Sequence, residues 1–146
     1  MKIYLDTCCL NRPFDDQTQP RVALESQAIL SILAKCESGV FSLISSEVVK
    51  IENDRNPFPE KKAFVESVIG ISASFVTVDD ACVARAIELE SRGFKSYDAL
   101  HISIAEIAVV DYFCSCDDRL LSRAAVQTDL GVKVRSPLAL AQEIFT

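Results

Sequence analysis

Lys2-Ile3-Tyr4-Leu5-Asp6 reads as a compact strand that ends in an acid. The alternation it starts, short β-type runs between longer helical ones, continues down the whole chain. Asn11-Arg12-Pro13-Phe14-Asp15-Asp16 has turn chemistry and is expected to be a loop. Arg21 to Glu37 carries Val22, Leu24, Ala28, Ile29, Ile32 and Leu33 at helical spacing, and Gly39 closes that helix. Phe41 to Ile44 follows as a second strand. Ser45-Ser46 then supplies an N-cap for a helix through Glu47-Val48-Val49-Lys50-Ile51-Glu52.

Beyond Glu52, Asn56-Pro57-Phe58-Pro59 interrupts, because proline lacks a donor and disfavours helix in the residue before it. Lys61 to Ile69 is helical again and Ser74 to Val78 is a third strand. Asp79-Asp80 caps a helix running to about Ser91, and a further helix is predicted from about Ser96 to Val109. Asp111 to Ser115 is a fourth strand, Asp118 to about Val126 a helix, Val132-Lys133-Val134 a fifth strand and Pro137 to Ile144 a terminal helix. No linker, charge block or repeat divides residues 1–146, so a single domain is expected. Strands alternating with helices call for a largely parallel sheet covered on both faces, with right-handed crossovers. Ligands of such folds bind beyond the carboxyl ends of the strands.

Composition narrows the class. The chain is 49% apolar and 25% charged, the balance of a soluble globular domain with a real core. Met1 to Leu10 places Lys2 and Asp6 among its apolar residues. It is neither a signal-peptide core nor a membrane span, and a cytoplasmic protein is expected. Six cysteines, at 8, 9, 36, 82, 114 and 116, form no C-x-x-C pair, and His101 is the only histidine. Reduced, structural thiols are therefore expected, with Cys8-Cys9 the pair best placed to matter chemically. The formal net charge of −6 opposes generic phosphate binding. It leaves either a substrate other than nucleic acid or a carboxylate cluster neutralised by metal, with basic residues lining the groove locally.

Four acids stand apart by position. Asp6 ends the first strand, Glu52 lies on the helix after the second, Asp98 opens a helix, and Asp117 follows the fourth strand. In a parallel sheet these strand ends share one edge, so Asp6 and Asp117 at least should converge. Clustered carboxylates stay ionised only beside a compensating cation. Oxygen-only ligation suits Mg²⁺ or Mn²⁺ rather than zinc, and such ions serve phosphodiester hydrolysis. No phosphate-binding G-x-x-x-x-G-K-[ST] loop and no G-x-G-x-x-G after the first strand occur.

These residues resemble the PIN-domain family, which includes stand-alone VapC-like toxins. The likeness lies in Ile3-Tyr4-Leu5-Asp6-Thr7, Ser45 to Glu52, Tyr97-Asp98-Ala99-Leu100-His101 with the helix to Ala105, and Ser115-Cys116-Asp117-Asp118-Arg119-Leu120-Leu121. The resemblance implies a three-layer α/β/α sandwich with a central, largely parallel β-sheet, and RNA cleavage dependent on Mg²⁺ or Mn²⁺. It implies that Asp6, Glu52, Asp98 and Asp117 form an acidic quartet. Asp6, Asp98 and Asp117 would hold the metal, and Glu52 would position or deprotonate the attacking water. Thr7 or Ser115 would steady a carboxylate or phosphate. Asn11, Ser46, Asp118 and Arg119 are further supporting or substrate-binding candidates, and Glu47 is the alternative to Glu52. Ser115 stands where the family often has threonine. A small antitoxin partner and a homodimer are implied as well.

Plainer readings stand beside these. Asp6 or Asp98 alone could be a cap or a favourable helix-end charge, Glu52 a solvated helix residue and His101 a packed structural histidine. Arg12, Lys50, Arg55, Arg92, Lys95 and Arg119 are the basic residues closest in sequence to the acids. The alternative function is a catalytically silent PIN-like RNA-binding or protein-interaction module. A haloacid-dehalogenase-type phosphatase would want an acid where Cys8 stands, and a receiver domain an acidic pair at the first strand end.

Overall fold

A computed structural model of the chain describes residues 1–145. From Lys2–Leu5 (β1) the chain turns into Thr7–Asn11 (α1), a 3-10 turn at Arg12–Phe14, and the long helix Pro20–Glu37 (α2). It continues through Ser42–Ser46 (β2), Glu47–Asp54 (α3), Pro59–Ile71 (α4), Ser74–Val76 (β3), Asp80–Ser91 (α5) and Ser96–Ile107 (α6). Tyr112–Cys114 (β4), Asp118–Ala125 (α7), Lys133–Arg135 (β5) and Pro137–Ile144 (α8) complete it. Every strand pair is parallel and the order is β3-β2-β1-β4-β5, the expected α/β/α sandwich. Among the described residues no helix is long and apolar enough to cross a membrane.

The first strand is the middle of the sheet. Ile3 pairs with Leu43 on one side and Tyr112 on the other. Ile3, Tyr4 and Leu5 are almost fully buried, as strands covered by helices on both faces must be. From β1 the chain winds outward through β2 and β3, then returns to lay β4 on the opposite edge of β1. The switch point therefore falls between the carboxyl ends of β1 and β4, where such sheets open a crevice.

The expected loop at Asn11–Asp16 is instead helical in its first part. The Asp6 carboxylate accepts from the Cys9 amide at 3.0 Å and starts α1 directly after the strand. Pro13 then sits in the first turn of the 3-10 segment, where its missing donor costs nothing. The same tolerance starts α2 at Pro20 and α4 at Pro59. Ser45 belongs to β2, and Ser46 alone caps α3, accepting from the Val49 amide. The helix predicted to Val109 ends at Ile107, because Val109 takes a left-handed φ of 54°.

Candidate active site

Four helix N-termini meet at the switch point, and each brings an acid or a hydroxyl. Asp6, 3% exposed, is the N-cap of α1. Asp117 is the N-cap of α7, accepting from the Arg119 amide at 2.9 Å and the Leu120 amide at 3.3 Å. Asp98 lies in the first turn of α6, and Glu52 is carried inward on α3. The positive ends of the helix dipoles partly offset the repulsion among these groups. Asp6, Thr7, Cys8, Glu52, Asp98, His101 and Asp117 line one cleft of about 80 Å³.

Glu52 is fixed from two sides. Thr7 Oγ1 donates to its Oε1 at 2.7 Å, and His101 Nε2 lies 2.5 Å from the same oxygen. A carboxylate only accepts, so Nε2 carries the proton. With the proton on Nε2, Nδ1 accepts from the Tyr4 hydroxyl, 2.5 Å away. Tyr4 in turn accepts from Ser46 Oγ at 2.7 Å, and Ser46 takes the Val49 amide. One directed chain thus runs from the cap of α3 through the central strand and α6 to the carboxylate in the cleft.

Electrostatics divide the acids. Burial pushes Asp6 well above the usual carboxylate range, Cys8 reinforces this, and a Ser115 hydrogen bond opposes it. Burial likewise raises Asp98, with the charge of Asp117 adding to the effect. Burial would raise Glu52 too, but the hydrogen bonds from His101 and Thr7, with the charge of Arg55, bring it below its ordinary value. Carboxylates destabilised as anions by burial and by one another gain from a cation. Among the described residues no three carboxylate oxygens lie within 4.8 Å of one another. The donor set is an open cradle, which fits a hard divalent cation that keeps part of its water shell.

The remaining candidates fall elsewhere. Glu47 turns away and accepts from the Val78 amide at 2.8 Å, so it is not a cleft residue. Asp118 points outward in a two-bond pair with Arg21, at 2.8 and 2.7 Å. Ser46 is fully buried beneath the cleft and touches Tyr4 rather than its contents. Ser115 Oγ accepts from the Asp117 amide at 3.1 Å and steadies that turn. Asn11 does not line the cleft, and its buried Oδ1 lacks a protein partner. Arg119 does stand near: with Lys95 and Arg123 it borders a small depression against Asp98. Gly93 shapes that border, since at φ 98° a Cβ there would come within 3.0 Å of the Arg123 guanidinium. Arg92 is tied to Asp129 and Glu88, and Lys50 to Asp54, away from the acids.

Sequence reading did not foresee the link from Tyr4 to Glu52. His101, spaced three residues from Asp98 on one helix, was the available signal for it. Nor did it foresee that Cys8 Sγ donates to Asp6 Oδ1 at 2.9 Å.

An all-parallel α/β domain that delivers four carboxylates to its switch-point cleft defines a class of acidic-cluster domains. The PIN domain family matches residues 3–127, and the chain belongs to it. Similar folds are found in the crystal structures of FitAcB from Neisseria gonorrhoeae (TM-score 0.57, 17% identity, 93% of this chain and 98% of that one) and VapBC2 from Rickettsia felis bound to a DNA fragment from their promoter (TM-score 0.57, 13% identity, 93% and 98%). VapBC-1 from nontypeable Haemophilus influenzae is similar at TM-score 0.58 and 10% identity, over 94% of this chain and 99% of that one. No curated protein matches in sequence.

Proposed function

We propose that the chain is a metal-dependent endoribonuclease that hydrolyses RNA phosphodiester bonds. The observation that carries this is the convergence of Asp6, Glu52, Asp98 and Asp117 in one cleft of a PIN domain. Asp6, Asp98 and Asp117 would hold Mg²⁺ or Mn²⁺, which supplies charge neutralisation at the phosphate and an acidified water when bound. Glu52, oriented by Thr7 and His101, holds the attacking water and takes its proton as the water oxygen bonds to phosphorus. The phosphorus–oxygen bond to the departing ribose breaks, and that oxygen takes a proton from solvent. Lys95, Arg119 and Arg123 give the strand's phosphates a local positive border, which reconciles RNA binding with a net charge of −6.

The finer reading is a cytoplasmic toxin of a toxin–antitoxin pair that works as a homodimer and is silenced by a small antitoxin protein. The likeness to the VapBC and FitAcB folds supports it. So does an apolar groove between α2 and α4, lined by Leu30, Leu33, Phe64, Val68 and Ile71, which offers a surface for a partner chain.

The test is cleavage of a mixed RNA pool by purified protein with Mn²⁺, with Mg²⁺ and with EDTA, beside Asp6→Asn and Asp98→Asn. Cleavage that needs metal and falls by roughly a hundredfold or more in both folded variants supports the proposal. Equal residual activity in all three proteins would move the silent-module reading ahead.

A further inference from the structure

A second set of ligand-type atoms runs from the cleft wall at Cys8 into the buried layer behind it and has no part in the hydrolytic scheme. Cys8, Cys9 and Cys116 bring their sulfurs within 4.8 Å of one another. Cys9 Sγ is 3.8 Å from Cys116 Sγ and 3.7 Å from Cys114 Sγ, and all four thiols are free. Their placement is backbone-fixed: Cys8 and Cys9 open α1, Cys116 follows β4, and β1 and β4 are direct neighbours. The Cys116 amide donates to Cys8 Sγ at 3.4 Å, which ties the two loops together.

The spacing has a chemical meaning. Around a tetrahedral zinc ion with Zn–S near 2.3 Å, two sulfurs stand about 3.8 Å apart. Cys9 and Cys116 already stand at that separation, and all three sulfurs lie within 4.8 Å of one another with no disulfide to account for it. An entry path exists as well, because Cys8 is partly exposed and lines the acidic cleft.

We propose that Cys8, Cys9 and Cys116 form a binding site for a thiophilic divalent cation of the zinc type, separate from the acidic site for a hard cation. Each thiol releases its proton to solvent as its sulfur–metal bond forms. Water completes the fourth position, and Asp6 Oδ1, which accepts from Cys8 Sγ at 2.9 Å, stands beside the site. Occupancy removes the Cys8 proton that Asp6 accepts and sets a second cation beside that carboxylate. Zinc would therefore inhibit cleavage, and this last consequence alone rests on the nuclease reading.

The test uses the full chain, reduced and stripped of metal, titrated with Cd²⁺ alone. A sulfur-to-metal charge-transfer band saturating at one equivalent is expected. It should collapse in Cys116→Ser and persist in Cys36→Ser, whose thiol lies apart on α2, and in Asp98→Asn, which alters only the acidic cleft. A second measurement needs no variant: one equivalent of Zn²⁺ should slow alkylation of Cys8, located by peptide mass mapping, by roughly tenfold or more. Three results would each overturn the site. They are a reduced chain that gives no band, a band that survives in Cys116→Ser, and Cys8 alkylation unchanged by Zn²⁺. None of these readouts depends on RNA cleavage, so the site and the nuclease reading fail separately.

Discussion

Tyr4 shows how much one side chain can organise. Its ring is buried in the middle strand and stacks on Phe113, with centroids 5.4 Å apart. Its hydroxyl joins Ser46 to His101, and burial lifts its pKa far above the phenol range, so it stays a neutral relay. Tyr4→Phe would leave the His101 Nδ1 and Ser46 hydroxyl without this partner in a dry setting, a loss of about 1–3 kcal/mol. Urea denaturation measures that loss, and a change under a few tenths would show the network is not structural. Because His101 orients Glu52, cleavage by folded Tyr4→Phe should also fall, with kcat affected more than KM. None of this was legible in the sequence, since Tyr4 and His101 are 97 positions apart and meet only when α6 packs on β1. Asp6, Asp98 and Asp117 were legible because each stands where a strand ends or a helix begins, a purely local property, whereas Glu52, in the second half of α3, was marked only by the family resemblance.

At the scale of the element, the helix ends hold most of the information. Three helices close with the same pair of hydrogen bonds: Val40 to Lys35 and Gly39 to Cys36 after α2, Phe94 to Leu89 and Gly93 to Glu90 after α5, Val110 to Ala105 and Val109 to Glu106 after α6. This motif needs a left-handed residue. Glycine fills it at 39 and 93, with φ 82° and 98°, whereas Val109 holds φ 54° against its β-branch. Val109→Gly should therefore stabilise the fold by about 1 kcal/mol, read as a rise in the denaturation midpoint with unchanged slope. A fall in midpoint would refute the strain. The exposed valine gave no glycine signal, which is why the sequence ran α6 two residues too far. Asp117 is a cap as well as a cleft acid, and the two roles can be separated. Asp117→Ala should cost about 1 kcal/mol, while Asp117→Asn keeps the cap and most of that stability. If the acid is needed for chemistry, both variants lose cleavage. Activity retained in Asp117→Asn would assign the residue to capping alone.

Across the whole molecule, charge is managed in local networks that composition cannot reveal. Arg85 and Arg92 gather Glu88, Glu106 and Asp129 where α5 and α6 meet the loop before β5. The Arg92 guanidinium holds the Asp129 carboxyl down to about 2. A carboxyl lowered on folding adds stability that is complete above its ordinary value near 4 and is lost as pH falls toward 2. Asp129→Asn should accordingly flatten the fall in thermal midpoint between roughly pH 4 and pH 2 at low salt, compared with the parent chain. Parallel curves would show the pairing adds nothing. The fold class was legible because the alternation of β-type and helical runs survives small errors in every boundary. Strand order was not, since nothing local marks that β4 returns to the free edge of β1.

That return fixes when the protein becomes whole. During synthesis the residues of β1 leave the ribosome well before those of β4, and one edge of the strand stays bare until Tyr112–Cys114 has followed. A nascent chain already carries Asp6, Glu52 and Asp98 while Asp117 is still to be added, and the walls of the cleft have not met. On the nuclease reading, a chain interrupted before Asp117 lacks one of the four acids and one wall of the cleft, and should not cleave RNA.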